Sequence, residues 1–189
     1  MIETVLVIAA HPDDEVLGMG GTLAKLVKLG YNVHVVFFTD GVSARGSGLT
    51  KESTLRRESA NLAAAIIGYE SSNIHCFNFP DNGLDTIPLL NLVKELEVII
   101  NDIKPCRVYT HHSNDLNIDH RIVHTATMTA CRPQPGSSVN FIFEFYVPSS
   151  SDWNTARECR ANTFIDITDY VSLKYRALAC YENELRDFP

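Results

Sequence analysis

The sequence lacks any run of lysines or arginines: 16 basic residues are scattered among 23 acidic ones, for a formal charge of −7. A chain of that sign carries no electrostatic footprint for nucleic acid or an anionic membrane, and a small, neutral or weakly charged ligand fits it better. No stretch approaches the ~20 apolar residues that a membrane span needs. The opening MIETVLVIAAHPDDE has no basic leader before its short apolar run and meets charge at once, so it does not read as a signal peptide. The five cysteines (Cys76, Cys106, Cys131, Cys159, Cys180) are odd in number and nowhere spaced CxxC, which argues against a disulfide framework and a zinc-thiolate site. A cytoplasmic protein with buried free thiols is the simplest expectation. Internal repeats and low-complexity linkers are missing too, and 189 residues with 45% apolar content suit one domain over 1–189.

What the chain does have is alternation. TVLVIAA (4–10) is a continuous, β-branched apolar run that suits a strand covered on both faces of a parallel sheet. Residues 16–29 then show helical spacing, closed by Gly30; 31–39 is a second strand; 51–67 is a helix stopped by Gly68. Strands at 73–79, 106–110 and 139–147 alternate with helices at 88–103 and 119–131, and a charged, amphipathic helix over 169–186 ends the chain. The loops 41–48 and 132–138 are rich in turn residues. Strands and helices of these lengths, in this order, predict a Rossmann-like α/β fold: a mostly parallel sheet with helices on both faces. In such sheets the ligand crevice lies beyond the carboxyl ends of the strands. Four strands hand over to polar segments there: AAHPDDE, FTDG, FPDNGLD and THHSNDLNIDH.

In the first of these, a histidine and an aspartate three positions apart, with proline stiffening the turn, can point at one divalent ion such as zinc. The plainer explanation is that Asp13, Asp14 and Glu15 face the positive end of the following helix; His11 beside them favours a site. In the last segment four histidines are interleaved with Asp115, Asn117 and Asp119, and His120 and His124 share a helical face. A catalytic zinc site takes three protein ligands, so His11, Asp14 and one histidine of this second cluster would complete it.

AHPDDE with a downstream DLNIDHR resembles the PIG-L/LmbE-like family of zinc-dependent deacetylases, which remove acetyl groups from N-acetylglucosamine-type substrates. The resemblance continues in order through FFTDGV, RRESANLAAAIIG, FPDNGLD, EFYVPS (144–149) and FIDITDYVSLKYRAL, close to the whole length. It implies a Rossmann-like fold, one zinc ion on His11, Asp14 and His120, and Asp13 as general base; other divalent ions suit the same ligands. Some members carry an oxyanion-assisting histidine where this chain has Asn117, whose amide NH2 can still donate to developing negative charge. Asp119 and Asp115 are candidates to hold the second ring nitrogens of His120 or His11. Arg57, Asp81 and, in the same tier, Asp40 and Asp85 are candidates for sugar hydroxyls. Against them, an arginine on a helix face is usually solvated and PDNG is an ordinary turn. The partner implied is an N-acetylated amino sugar or conjugate, with no nucleic acid and no membrane span; a homo-oligomer would leave no distinctive mark.

Alternatives are a deacylase of another small amide and a degenerate metal-binding module without activity. Retention of Asp13, which ligation alone does not require, argues against the second. In its favour, family members commonly continue past a position like Pro189 with histidine and arginine near the site, whereas this sequence stops at Phe188-Pro189. A dinucleotide site is disfavoured because HPDD occupies the strand-to-helix turn, and Gly18, Gly20 and Gly21 come later, inside the helix, where they suit close packing.

Overall fold

The computed structural model describes residues 2–45, 50–153 and 160–184. Residues 46–48 of the expected 41–48 loop, Cys159 and the end of the expected last helix at Arg186 lie outside them. Five strands form one parallel sheet: β1 (Thr4–Ala9), β2 (Asn32–Thr39), β3 (Ile74–Phe79), β4 (Arg107–His111) and β5 (Phe141–Phe145), in the order β3-β2-β1-β4-β5. β1 is the middle strand, paired in register with β2 (Val7 opposite Val35) and β4 (Val7 opposite Tyr109). Its position accounts for its composition, because a strand covered on both faces has no solvent side to carry polar residues.

Alternation along β1 and β2 divides the core in two. Val5, Val7, Val35 and Phe37 face α1 (Asp14–Lys28), α2 (Thr50–Ile67) and α5 (Val171–Leu178). Leu6, Ile8, Val36 and Phe38 face α3 (Leu89–Ile103) and α4 (Ile118–Ala130). α3 meets the sheet through Leu92, Val93, Leu96, Ile99 and Ile100, an apolar stripe at helical spacing. α1 and α2 both end on glycines with positive φ, Gly30 at 86° and Gly68 at 104°, as their C-terminal caps require.

The last helix is shorter than its charged pattern suggests. α5 stops at Leu178, the bonds Cys180 N–H to Ala177 O and Tyr181 N–H to Leu178 O tighten its end, and a short 3₁₀ turn follows at Glu182–Glu184. That turn lets Tyr181 bury its ring, leaving it 3% exposed. Of the described thiols only Cys131 is buried; Cys76, Cys106 and Cys180 are half-buried, and none is paired.

The glycines of α1 pack against the far end of the sheet and the approach to α5. A methyl group at Gly18 would sit 2.5 Å from the Phe145 ring, and one at Gly21 would sit 2.6 Å from Ile167. Overpacking of this kind costs about 1–3 kcal/mol, against at most ~1 kcal/mol gained in helix propensity on replacing glycine. Gly18→Ala is therefore expected to lower the urea unfolding midpoint; an unchanged or raised midpoint would show that Phe145 yields freely.

Candidate metal centre

The carboxyl ends of β1, β3 and β4 converge, and the turn after β1 sets their meeting point. Pro12 and Asp13 reverse the chain between Ala10 and the first turn of α1, so that His11 and Asp14 face each other. The backbone N–H of His11 donates to Asp14 Oδ2 at 2.9 Å. His120, in the first turn of α4, comes in from the other side.

Three ligand atoms meet there. His11 Nδ1 lies 3.2 Å from Asp14 Oδ2, and His120 Nε2 lies 3.3 Å from each of them. All three residues are buried. A tetrahedral ion with bonds of ~2.0–2.1 Å needs ligand atoms roughly 3.3–3.4 Å apart. Two imidazole nitrogens and a carboxylate oxygen at this spacing form one face of such a tetrahedron, so the donor set fits a divalent ion in both chemistry and size.

The groups behind the ligands fit as well. His11 Nε2 lies 3.2 Å from Asp81 Oδ1 and 3.3 Å from Asp119 Oδ2, and Asp119 is itself held by the N–H groups of Asn82 and Leu84. His120 Nδ1 lies 3.2 Å from Asp115 Oδ2, an oxygen that also accepts from the hydroxyls of Ser150 and Ser151. A carboxylate on the outer nitrogen of a histidine fixes its tautomer and turns its bare nitrogen towards the ion. His111 stacks on His120 with ring centroids 3.8 Å apart and accepts the Ala10 N–H at Nε2. That leaves its proton on Nδ1, buried without an acceptor among the described residues.

With protons in place of an ion, these groups perturb one another strongly. Burial disfavours the His11 imidazolium, but Asp119, Asp14 and Asp81 outweigh it and raise the pKa well above its usual value. Burial likewise opposes the charge on His120, yet Asp14 and Asp115 hold its pKa at about 9. Asp14 lies well below the carboxylate range because the neighbouring histidines outweigh its burial, and Asp115 falls to about 2 by the same balance, with His120 the leading partner.

Asp13 lies beside this set without belonging to it. Burial, reinforced by Asp14, pushes its pKa to about 7 against the pull of Arg56. Its Oδ2 accepts from Arg56 Nη2 at 2.8 Å, and Arg56 Nη1 lies 2.6 Å from Glu184 Oε1. Its backbone has φ 132° and ψ −28°, a conformation that side chains avoid and that costs about 1–3 kcal/mol. Glu15 does not simply face the helix end. It is fully buried, accepts the Asp13 N–H at Oε2 (3.0 Å) and the Tyr181 hydroxyl at Oε1 (2.8 Å), and burial raises its pKa to about 8.

Other expected residues lie elsewhere or are otherwise engaged. Arg57 is on the outer face of α2, bonded to Asn78 Oδ1; the arginine delivered to the site is its neighbour Arg56. Helical register carries the distinction, since Arg56 continues the buried stripe of Ala60, Ala63, Ala64 and Ile67. Asp40 closes the turn after β2 by accepting from the N–H groups of Val42 and Ser43. Asp81 has one oxygen on His11 and the other on the Ala44 N–H. Asp85 is exposed. Asn117 caps α4, its Oδ1 accepting the Asp119 N–H, which leaves the amide NH2 as its remaining donor group. His124 shares α4 with His120 but binds Glu144 Oε1 at 2.9 Å, not the ligand triangle. Tyr181, Glu184, Ser150 and Ser151 carry no motif that marks them in the sequence.

No helix among the described residues is long and apolar enough to cross a membrane. Residues 6–131 match the PIG-L family, described as GlcNAc-PI de-N-acetylase. The chain is 36% identical over 136 residues to the uncharacterized deacetylase YaiS of Escherichia coli K12, covering 69% of each chain. It is 28% identical over 200 residues to the 4-oxalmesaconate hydratase of Pseudomonas putida, covering 94% of this chain and 72% of the relative. Among solved structures, N,N'-diacetylchitobiose deacetylase from Pyrococcus horikoshii superimposes with a TM-score of 0.79 at 26% identity, over 98% of this chain and 72% of that one. The HPDD turn after the central strand, the Asp119-His120 pair opening α4 and the match that spans both make this chain a member of the PIG-L family.

Proposed function

We propose that this protein is a metal-dependent N-deacetylase of an N-acetylated amino sugar or N-acetylglucosamine conjugate. The observation that carries the reading is the triangle of His11 Nδ1, Asp14 Oδ2 and His120 Nε2 with a separate carboxylate, Asp13, beside it. Zinc suits the ligands, as other divalent ions would. A divalent ion held there supplies Lewis acidity, polarising an amide carbonyl and acidifying water.

The chain's own residues then divide the work. Asp13, with a pKa of about 7, is poised to take the proton of the attacking water and to return it to the leaving amine. Arg56 aims its carboxylate by holding Oδ2. The Asn117 amide, its oxygen tied to the α4 cap, presents its NH2 to negative charge developing on the carbonyl oxygen. Asp119 and Asp115 keep His11 and His120 in the ligating tautomer. The substrate class is supported by the family description and by the diacetylchitobiose deacetylase likeness.

A second reading comes from the hydratase relative, which aligns with most of this chain. Adding water to an activated double bond can use the same base and the same Lewis acid, so assays of acetate release and of hydration of 4-oxalmesaconate discriminate between the two.

Asp13→Asn is expected to lower acetate release about 10²–10⁴-fold, the usual range for loss of an acid-base group, with bound metal unchanged. Equal release by the variant on a panel of N-acetylglucosamine conjugates would refute the role. The pH dependence has a definite sign. The folded pKa of His120, about 9, lies above its unfolded value, so in the metal-free protein this group stabilises the fold at low pH and the contribution is lost as pH rises through 9. A ligating ion must displace that proton. Zinc added to metal-free protein in weak buffer at pH 7 should therefore release protons, and affinity should strengthen roughly tenfold per pH unit for each proton displaced. Binding without proton release would contradict the ligand set.

A further inference from the structure

Three described residues other than glycine have positive φ: Asn82 at 50°, Lys104 at 49° and Asp13 at 132°. The first two lie in the ordinary left-handed helical region; Asp13 lies outside it. A conformation of that kind persists only where its surroundings impose it. Two chains of contacts do so, and both start from the segment that follows α5, one at Tyr181 and one at Glu184. In one, the Tyr181 hydroxyl donates to Glu15 Oε1, and Glu15 Oε2 accepts the Asp13 N–H. In the other, Glu184 Oε1 pairs with Arg56 Nη1, and Arg56 Nη2 donates to Asp13 Oδ2. The two arms touch, with the Arg56 guanidinium 5.5 Å from the centre of the Tyr181 ring.

We propose that Tyr181 and Glu184 are positioning residues that brace Asp13, Tyr181 through Glu15 onto its backbone and Glu184 through Arg56 onto its carboxylate. The proposal rests on the reading of Asp13 as the base. Core packing alone does not explain the arrangement. Tyr181 lies among Tyr69 and Ala177 in an apolar cluster where a phenylalanine would pack as well, and burying Glu15 completely is costly unless both oxygens are engaged. Likewise Arg56, 6% exposed, is held between two carboxylates on a helix stripe of alanines. The segment after α5, a helix that packs on α1 and α2, thus holds one residue twice.

Tyr181→Phe keeps the ring and removes the hydroxyl, and Glu184→Gln keeps the shape and removes the charge. Each is expected to lower kcat for amide hydrolysis about tenfold while KM and metal Kd stay within about twofold, the pattern of a group felt only in the transition state. Neither should lower the residual rate of Asp13→Asn further, because residues acting as one unit are not additive. Hydrogen exchange at the Asp13 amide gives a readout that needs no substrate: it should quicken at least ~10-fold in Tyr181→Phe and stay unchanged in the exposed control Tyr175→Phe. In an active enzyme, unchanged kcat in both variants overturns the brace. If the wild-type protein hydrolyses none of the amides, the functional reading fails by itself; exchange then decides, faster exchange in Tyr181→Phe supporting the brace and unchanged exchange overturning it.

Discussion

Everything at the carboxyl end of the sheet depends on how the chain leaves β1. A strand and a helix joined by four residues, 10–13, leave little choice of path, and here the path passes through an aspartate at φ 132°. That turn brings Asp14 back onto His11, so that one oxygen accepts the His11 N–H while facing the His11 ring. An ordinary helical entry at Asp13 would send Asp14 elsewhere. The cost falls on Asp13, whose N–H is held by Glu15 and whose carboxylate is held by Arg56, beside the triangle of candidate ligands and not in it. Strain at a functional site is thus an observed outlier with identifiable restraints.

The second constraint is charge in a buried space. His11, Asp14, Asp115, Asp119 and His120 are all buried, and buried carboxylates are tolerated only when paired. Each has a partner: Asp119 accepts two backbone N–H groups, Asp115 two serine hydroxyls, and the histidines bridge between the acids. At the centre of the triangle three lone-pair-bearing atoms of buried residues meet, and protons or a cation must balance them. β1 fits this picture through its composition, because an apolar strand buried on both faces supplies a rigid base for His11, and His111, stacked on His120, holds the N–H of Ala10 just past the strand's end.

Much of this was legible in the sequence because it rests on local patterns. Continuous apolar runs marked the strands, helical spacing and terminal glycines marked the helices, and His and Asp three apart after the central strand marked where an ion could sit. What was not legible depended on distant packing. Arg56 and Arg57 are adjacent and chemically identical, and only the alanine stripe of α2 tells which is buried. Glu15 reads as a helix-terminus acid because its partner, Tyr181, lies far along the chain. Asp81 reads as a turn residue open to a sugar, whereas the converging strand ends bring it to His11 and a neighbouring loop. The last helix reads as longer than it is because its charged periodicity continues past Leu178, while the chain turns there to bury the Tyr181 ring.

The central claim is that His11, Asp14 and His120 hold one divalent ion with nitrogen and oxygen ligands. X-ray absorption at the zinc edge of the zinc-loaded protein tests it most directly. The account predicts a first shell of nitrogen and oxygen only, at ~2.0–2.1 Å, with outer-shell scattering from two imidazole rings. Sulfur scattering near ~2.3 Å, or the signature of a single imidazole, would contradict it.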